Sequence, residues 1–250
     1  PKNIKTIETG TFRGCSSLTN IVLPDSLVTI GESAFRGCGM SQIRIPDNVS
    51  VFGSYAFREC VNLTSVAIPK SMAHIANGAF YGCSNMTSVT IPEGVTTIEH
   101  NAFHLCNLLS LSLPQSLTTI AGEGSSTGAF SANKNLSVVV IPDNVTTIVG
   151  GAFAGCTSLK TIVFGANVTT LGAGVLRGCT SLTEVSLPKK LTIIPNSCFL
   201  GCPALSKVIL PEGLTTIEGY AFQNCSSLQT IQLPSTIRVM TQAFYGCTGL

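Results

Sequence analysis

One short unit recurs along the whole sequence, and this repeat constrains the fold more than any other feature. A proline marks the end of its first segment, and these marks follow one another at intervals of 22 or 23 residues, apart from one interval of 28. They stand at positions 24, 46, 69, 92, 114, 142, 188, 211 and 234, with Gly165 at the place of a missing proline. A period of this length is typical of solenoids, in which each unit buries its apolar face only by stacking on its neighbours.

The unit reads L-x-x-I-x-I/L-P-x-x-V/L-T-x-I-x-x-x-A-F-x-G-C. Its first segment predicts a short strand with inward-facing apolar residues, as in Leu228, Ile231 and Leu233. Proline ends that strand because it has no N–H to donate to a neighbouring strand. V-T-x-I predicts a second short extended segment, since β-branched residues favour strands.

The A-F-x-G-C segment predicts one tight helical turn. Its glycine suits a left-handed exit from the turn, although Glu59, Leu105, Ala132 and Asn224 replace it in some copies. Stacking of the units converts the phenylalanine into a continuous internal column. The column contains residues 12, 35, 57, 80, 103, 130, 153, 199, 222 and 244, and Leu176 replaces the ring in one copy.

The cysteines follow the same repeat, which argues against a redox or metal framework. Ten of the 11 cysteines occupy one position of the unit, and Cys198 alone lies outside it. Asn133 fills that position in the remaining copy, so we expect the position to need a small hydrogen-bond donor facing a turn carbonyl. The repeat therefore predicts a column of buried, unreactive thiols.

This unit closely resembles the BspA-type leucine-rich repeat over essentially all 250 residues. The resemblance implies a right-handed superhelix of ~23-residue units, with a parallel β-sheet on one face and otherwise irregular chain with single helical turns. It also implies a protein of the cell surface or a secreted protein, although no signal peptide is visible. We expect residues 1–250 to form one array, cut from a longer array because neither end shows a polar cap.

Composition excludes several other classes. Charged residues make up only 10% and hydrophobic residues 44%, which argues against disorder. The net charge is +2 and no basic cluster occurs, so neither nucleic acid nor an anionic membrane is an expected partner. The longest aliphatic run, Val138 to Ile141, is far too short for a membrane-spanning helix.

The only interruption of the rhythm is an insertion at residues 121–128, which we expect to bulge outward as a loop. Its Gly124–Gly128 segment matches G-x-S-x-G, and His100 and His104 lie in the preceding unit. A hydrolase or a metal site is the chemical alternative, but that motif needs a strand before it and a helix after it. We expect no catalytic residue, no metal and no cofactor, and therefore no enzyme.

The exposed face of the predicted sheet is the expected binding surface. It would present Val22, Arg44, Thr90, Val138, Val140, Val163, Ser186, Ile209 and Gln232. The sequence thus predicts a protein-binding or adhesion module that contacts host or extracellular proteins, such as those of the matrix. A structural spacer that presents other domains is the alternative. The seven N-x-S/T sequons follow from the repeat and leave glycosylation open.

Overall fold

The computed structural model describes residues 3–235 and 237–250, so Pro1 and Lys2, where the predicted array begins, and Thr236 lie outside it. The described chain is a right-handed β-solenoid of about ten turns, which we call rungs. Within these residues no helix occurs, and hence none that could cross a membrane. The predicted fold class is confirmed.

Each rung contributes to a column of two-residue parallel strands formed by the T-x-I segment. Threonine pairs with threonine and isoleucine with isoleucine across the rungs, as in Thr97–Ile98 against Thr119–Ile120. Isoleucine points inward, because the side chains of a strand alternate between its two faces. The strands are Thr6–Ile7, Thr29–Ile30, Val51–Phe52, His74–Ile75, Thr97–Ile98, Thr119–Ile120, Thr147–Ile148, Thr170–Leu171, Ile193–Ile194, Thr216–Ile217 and Arg238–Val239.

A second side of the solenoid, the front sheet, is formed by three-residue strands that precede the proline. They are joined in three parallel pairs, in which the middle residue points inward. The pairs are Ser65–Ala67 with Ser88–Thr90, Val138–Val140 with Thr161–Val163, and Glu184–Ser186 with Lys207–Ile209.

The third side consists of the A-F-x-G-C turns, and here the prediction of a helical turn is wrong. The N–H groups of each turn donate alternately to their own turn and to the next rung: Cys38 donates to Phe35 (3.1 Å), and Gly37 donates to Arg58 (2.8 Å). Half of the donors that a helix would use are therefore committed between rungs. The left-handed exit is confirmed, and Glu59, Leu105 and Ala132 adopt it without being glycine.

The phenylalanine column fills the interior. Consecutive rings stack nearly parallel, with centroids 5.1–5.6 Å apart. Leu176 interrupts the column and is fully buried beside Val175, so the aliphatic pair replaces the missing ring. The predicted core is confirmed.

The insertion differs from the expected outward loop. Ile120 and Phe130 keep their predicted places in the core. The added residues form an antiparallel hairpin, with strands Gly122–Glu123 and Thr127–Gly128. This hairpin packs over the next two rungs, where a Cβ at Gly150 would lie 1.8 Å from the Gly124 carbonyl oxygen and one at Gly174 would lie 1.9 Å from that of Ser125. The glycines of the following rungs make the room that the hairpin occupies.

Candidate protein-binding surface

The front sheet presents the residues that the sequence assigned to a binding face. The side chains on either side of each inward-facing residue are exposed, as period-two alternation requires. All nine predicted residues are exposed. Six lie in the strands of the front sheet, namely Thr90, Val138, Val140, Val163, Ser186 and Ile209, and three occupy the equivalent segment of rungs in which it forms no strand, namely Val22, Arg44 and Gln232. Their exposure makes the surface available to a partner.

Apolar side chains concentrate in one part of the front sheet. Val138, Val140 and Val163 belong to one strand pair and are exposed by 48%, 56% and 50%. Val138 pairs with Thr161 and Val140 with Val163, so the three valines adjoin one another. We call Val138, Val140 and Val163 the valine patch. Scattered apolar residues are ordinary on a protein surface, whereas a contiguous group is a candidate contact region.

A groove adjoins the valine patch, because two successive strands of the front sheet are not paired. In the described chain, Thr161–Val163 pairs with the strand of the preceding rung and Glu184–Ser186 pairs with the strand of the following rung, but these two strands do not pair with each other. The Ile141 N–H donates a hydrogen bond to the Val163 carbonyl oxygen in the next rung (2.8 Å). Among the described residues, the N–H of Phe164, at the equivalent position, makes no such backbone hydrogen bond to its own next rung. The space between the strands has a volume of about 640 Å³.

Gly165 lines the groove and lies close to the preceding rung. A Cβ there would lie 2.2 Å from the Pro142 carbonyl oxygen, so only glycine lets the turn approach the preceding rung this closely. The groove lies on the other flank of the turn, towards Pro188. The groove is not evident from the repeat pattern, in which Gly165 replaces a proline; a glycine at a proline position was the available signal.

Of the charged residues around the groove, the acidic ones have partners and two lysines do not form ion pairs in the described chain. Glu184 is paired with Lys207 at 2.6 Å, and Asp143 accepts the N–H of Ala166 at 2.8 Å. Lys160 and Lys189 also line the groove and form no ion pair among the described residues. The groove therefore combines an apolar wall with two free cations.

The cysteine column lies in the interior and supplies no chemistry to this surface. Each repeat cysteine after Cys15 donates its thiol to a carbonyl oxygen of the preceding rung, at 3.0–3.4 Å; the acceptor is the phenylalanine, or Leu176 for Cys202. Asn133 does the same to Phe103 at 2.9 Å, so the predicted donor role is confirmed. Burial raises the pKa of Cys106 to about 12. Cys15 is the exposed exception.

The histidines of the chemical alternative and Ser126 each bond to residues outside the predicted site. His104 is buried, with Nδ1 2.6 Å from the Ser131 hydroxyl, and burial lowers its pKa. The ring of His100 contacts the side chain of Asn101. The hydroxyl of Ser126, which lies in the hairpin, accepts a hydrogen bond from Arg177 (3.3 Å). Throughout residues 3–235 and 237–250, no three His, Cys, Asp or Glu side chains are grouped to hold a metal ion.

Comparisons with solved structures agree with this fold. The chain is 30% identical to a leucine-rich repeat protein from Bacteroides ovatus, with a TM-score of 0.84 over 100% of this chain and 70% of that chain. A leucine-rich repeat protein from Eubacterium ventriosum is 26% identical (TM-score 0.60; 97% of this chain and 80% of that one). A leucine rich cell surface protein from Faecalibacterium prausnitzii is 25% identical (TM-score 0.55; 99% and 82%).

No curated protein matches the sequence. The model of the BspA type leucine rich repeat region matches residues 5–126 and 124–250, with six copies. Proteins built from such repeats are generally interaction or surface modules, and they are generally not catalytic. By its repeat, its fold and this match, the chain belongs to the BspA type leucine-rich repeat family.

Proposed function

We propose that this chain is a non-catalytic protein-binding module, and that its contact surface is the front sheet around the valine patch and the adjoining groove. The observation that carries the proposal is the coincidence of three exposed valines with a groove of about 640 Å³ that holds two unpaired lysines. Binding surfaces combine apolar contact with charged groups that orient the partner.

The partner is an extracellular protein of a host or its matrix, and the chain acts at the cell surface or after secretion. The cell surface protein of F. prausnitzii, which shares the fold, supports this location. The remaining predicted residues, Arg44, Thr90, Ser186, Ile209 and Gln232, extend the contact along the front sheet. A spacer that only presents other domains is the second candidate, because a regular solenoid is a stiff support.

The test measures binding of the chain to immobilised, purified extracellular matrix proteins. We expect Val140→Glu combined with Val163→Glu to weaken binding at least tenfold, because two buried carboxylates would face an apolar contact. Val51→Glu combined with Ile193→Glu is the matched control, since both side chains are similarly exposed (48% and 43%) but lie in the column of two-residue strands, outside the front sheet. Binding that is insensitive to the double variant would contradict the assigned surface, and no binding of the unaltered chain would favour the spacer.

A further inference from the structure

The third side of the solenoid, formed by the A-F-x-G-C turns, carries a second concentration of functional groups. The x position holds arginine in three consecutive rungs (Arg13, Arg36 and Arg58), followed by Tyr81. Successive rungs lie about 4.8 Å apart, so these side chains form a row. The row lies on a different side from the front sheet, which makes it independent of the proposed function.

The row is held in place by specific contacts. The Arg58 guanidinium lies over the rings of Tyr81 (4.5 Å) and Tyr55 (5.4 Å). Glu59 forms an ion pair with Arg58 through one carboxylate oxygen (3.1 Å) and with Arg36 through the other (3.2 Å). The two arginine side chains still expose 28% and 26% of their surface. The guanidiniums are therefore oriented before a ligand arrives and remain accessible to it.

Two residues of this group adopt a backbone conformation that side chains disfavour. Tyr55 has φ 61° and Glu59 has φ 59°, whereas the next rung has glycine at both equivalent positions, Gly78 and Gly82. The ring of Tyr55 also lies where a Cβ at Gly78 would stand, at 2.4 Å. Both positions are left-handed in most rungs, so the conformation belongs to the repeat and not to this row alone. In this rung it places the side chains of Tyr55 and Glu59 in the row.

The hydrogen-bonding capacity of the row is only partly used. Arg36 and Arg58 direct Nε and Nη2 to Glu59, which leaves Nη1 of each available, and Arg13 forms no ion pair in the described chain. Burial raises the pKa of Glu59, but the hydrogen bond from Arg36 and the charge of Arg58 outweigh this effect. The pKa therefore lies below its ordinary value, and the carboxylate is ionised. Three cations and one anion leave an excess of two positive charges.

We propose that the row of Arg13, Arg36 and Arg58, with Tyr55 and Tyr81, binds an extended acidic segment of a partner protein. A guanidinium matches the geometry of a carboxylate, and the ring edges supply apolar contact. Glu59 stands in the middle of the row and repels a uniformly charged polyanion, such as a sulfated glycan. A peptide with separated carboxylates avoids this repulsion.

The probe is a fluorescein-labelled peptide with four glutamates separated by alanines, and fluorescence anisotropy measures its binding to the intact chain. Arg13→Gln with Arg36→Gln should weaken binding at least tenfold, because two charge-assisted contacts are lost. Lys70→Gln with Lys134→Gln removes the same charge at exposed positions outside both the row and the groove, and should change binding less than twofold. Arg13→Lys with Arg36→Lys keeps the charge and should still lose several-fold, since lysine has no planar fork.

Several results would overturn the proposal. One is the absence of binding by the unaltered chain; another is an equal loss in the arginine and lysine variants, which would indicate non-specific attraction. Stronger binding of a heparin oligosaccharide than of the peptide would assign the row to glycans. Thermal unfolding of each variant shows whether the fold is retained, and the Arg→Lys pair keeps the test valid if Arg36→Gln unfolds the chain.

Discussion

The regular rungs and the rung that carries the insertion meet the same structural requirements with different residues. In a regular rung such as that of Cys156, glycine takes the left-handed position and a thiol donates to the preceding phenylalanine carbonyl (3.4 Å). In the insertion rung, Ala132 takes the left-handed position at φ 58°, and Asn133 donates to the carbonyls of Phe103 and Phe130.

This difference shows what the repeat conserves. Asn133 also accepts the N–H of Leu108 at 3.0 Å, a contact that a thiol would form poorly. Each position of the unit therefore demands a function, such as a donor, a ring or a left-handed backbone, and several residue types supply it. The surfaces carry no such demand, which is why the valine patch and the arginine row each occur in only a few rungs.

Alkaline pH should separate the two kinds of rung most strongly. A thiol has a pKa near 9.0 when unfolded, and burial raises it to about 12 at Cys106 and at Cys156. The protonated form is thus favoured by folding, so this stability is present below pH 9 and is lost as pH rises towards 12. Each thiol costs at most about 1.4 kcal/mol per pH unit, and ten are buried. We therefore expect the chain to unfold as the pH rises above 9, and circular dichroism as a function of pH measures this unfolding.

Lysine and tyrosine also titrate in this range, so the thiols need their own control. Serine donates a hydrogen bond without titrating there. Replacing Cys156, Cys179 and Cys202 by serine should reduce the pH dependence of the unfolding free energy by about a third, even where the variant is less stable at pH 7. An unchanged slope would mean that the buried thiols do not control alkaline stability.

The hairpin provides the next largest effect, because it depends on glycines in the rungs that follow it. Gly174→Ala places a Cβ 1.9 Å from the Ser125 carbonyl oxygen and keeps φ at +66°. We expect a loss of about 2–4 kcal/mol in the free energy of unfolding, or release of the hairpin. Gly201→Ala is matched in φ (+72°) but meets nothing within 4 Å, and should cost only about 1 kcal/mol.

Urea denaturation measures both variants, and hydrogen exchange at residues 122–128 distinguishes release from global unfolding. Equal losses in the two variants would show that backbone conformation alone matters at Gly174. Rapid exchange of the hairpin in the unaltered chain would contradict its packing on the glycines.

The sequence predicted the interior better than the surface, for a physical reason. Columns such as the phenylalanines and cysteines repeat in register, so their burial follows from periodicity alone. The packing of the hairpin depends on glycines up to 49 residues away, as between Ser125 and Gly174, and no local pattern links them. The groove likewise arises where two strands fail to pair, and the pattern of apolar residues continues unchanged across that gap.

The smallest effect tests the left-handed position itself. Ala132 at φ 58° and Gly155 at φ 71° occupy this position in consecutive rungs, and a Cβ at Gly155 would meet only ordinary contacts, the nearest at 3.8 Å. A left-handed residue with a side chain costs about 1–2 kcal/mol, against about 0.5–1 kcal/mol for the greater freedom of unfolded glycine. Ala132→Gly should therefore stabilise the chain by about 0.5–1 kcal/mol, and Gly155→Ala should destabilise it equally in urea denaturation. Ala154→Gly, which lies outside the left-handed region and is buried, should be destabilising. If Ala132→Gly destabilised the chain as well, the methyl group of Ala132 would contribute packing that outweighs its strained backbone, and the equivalence of the two rungs would fail at this position.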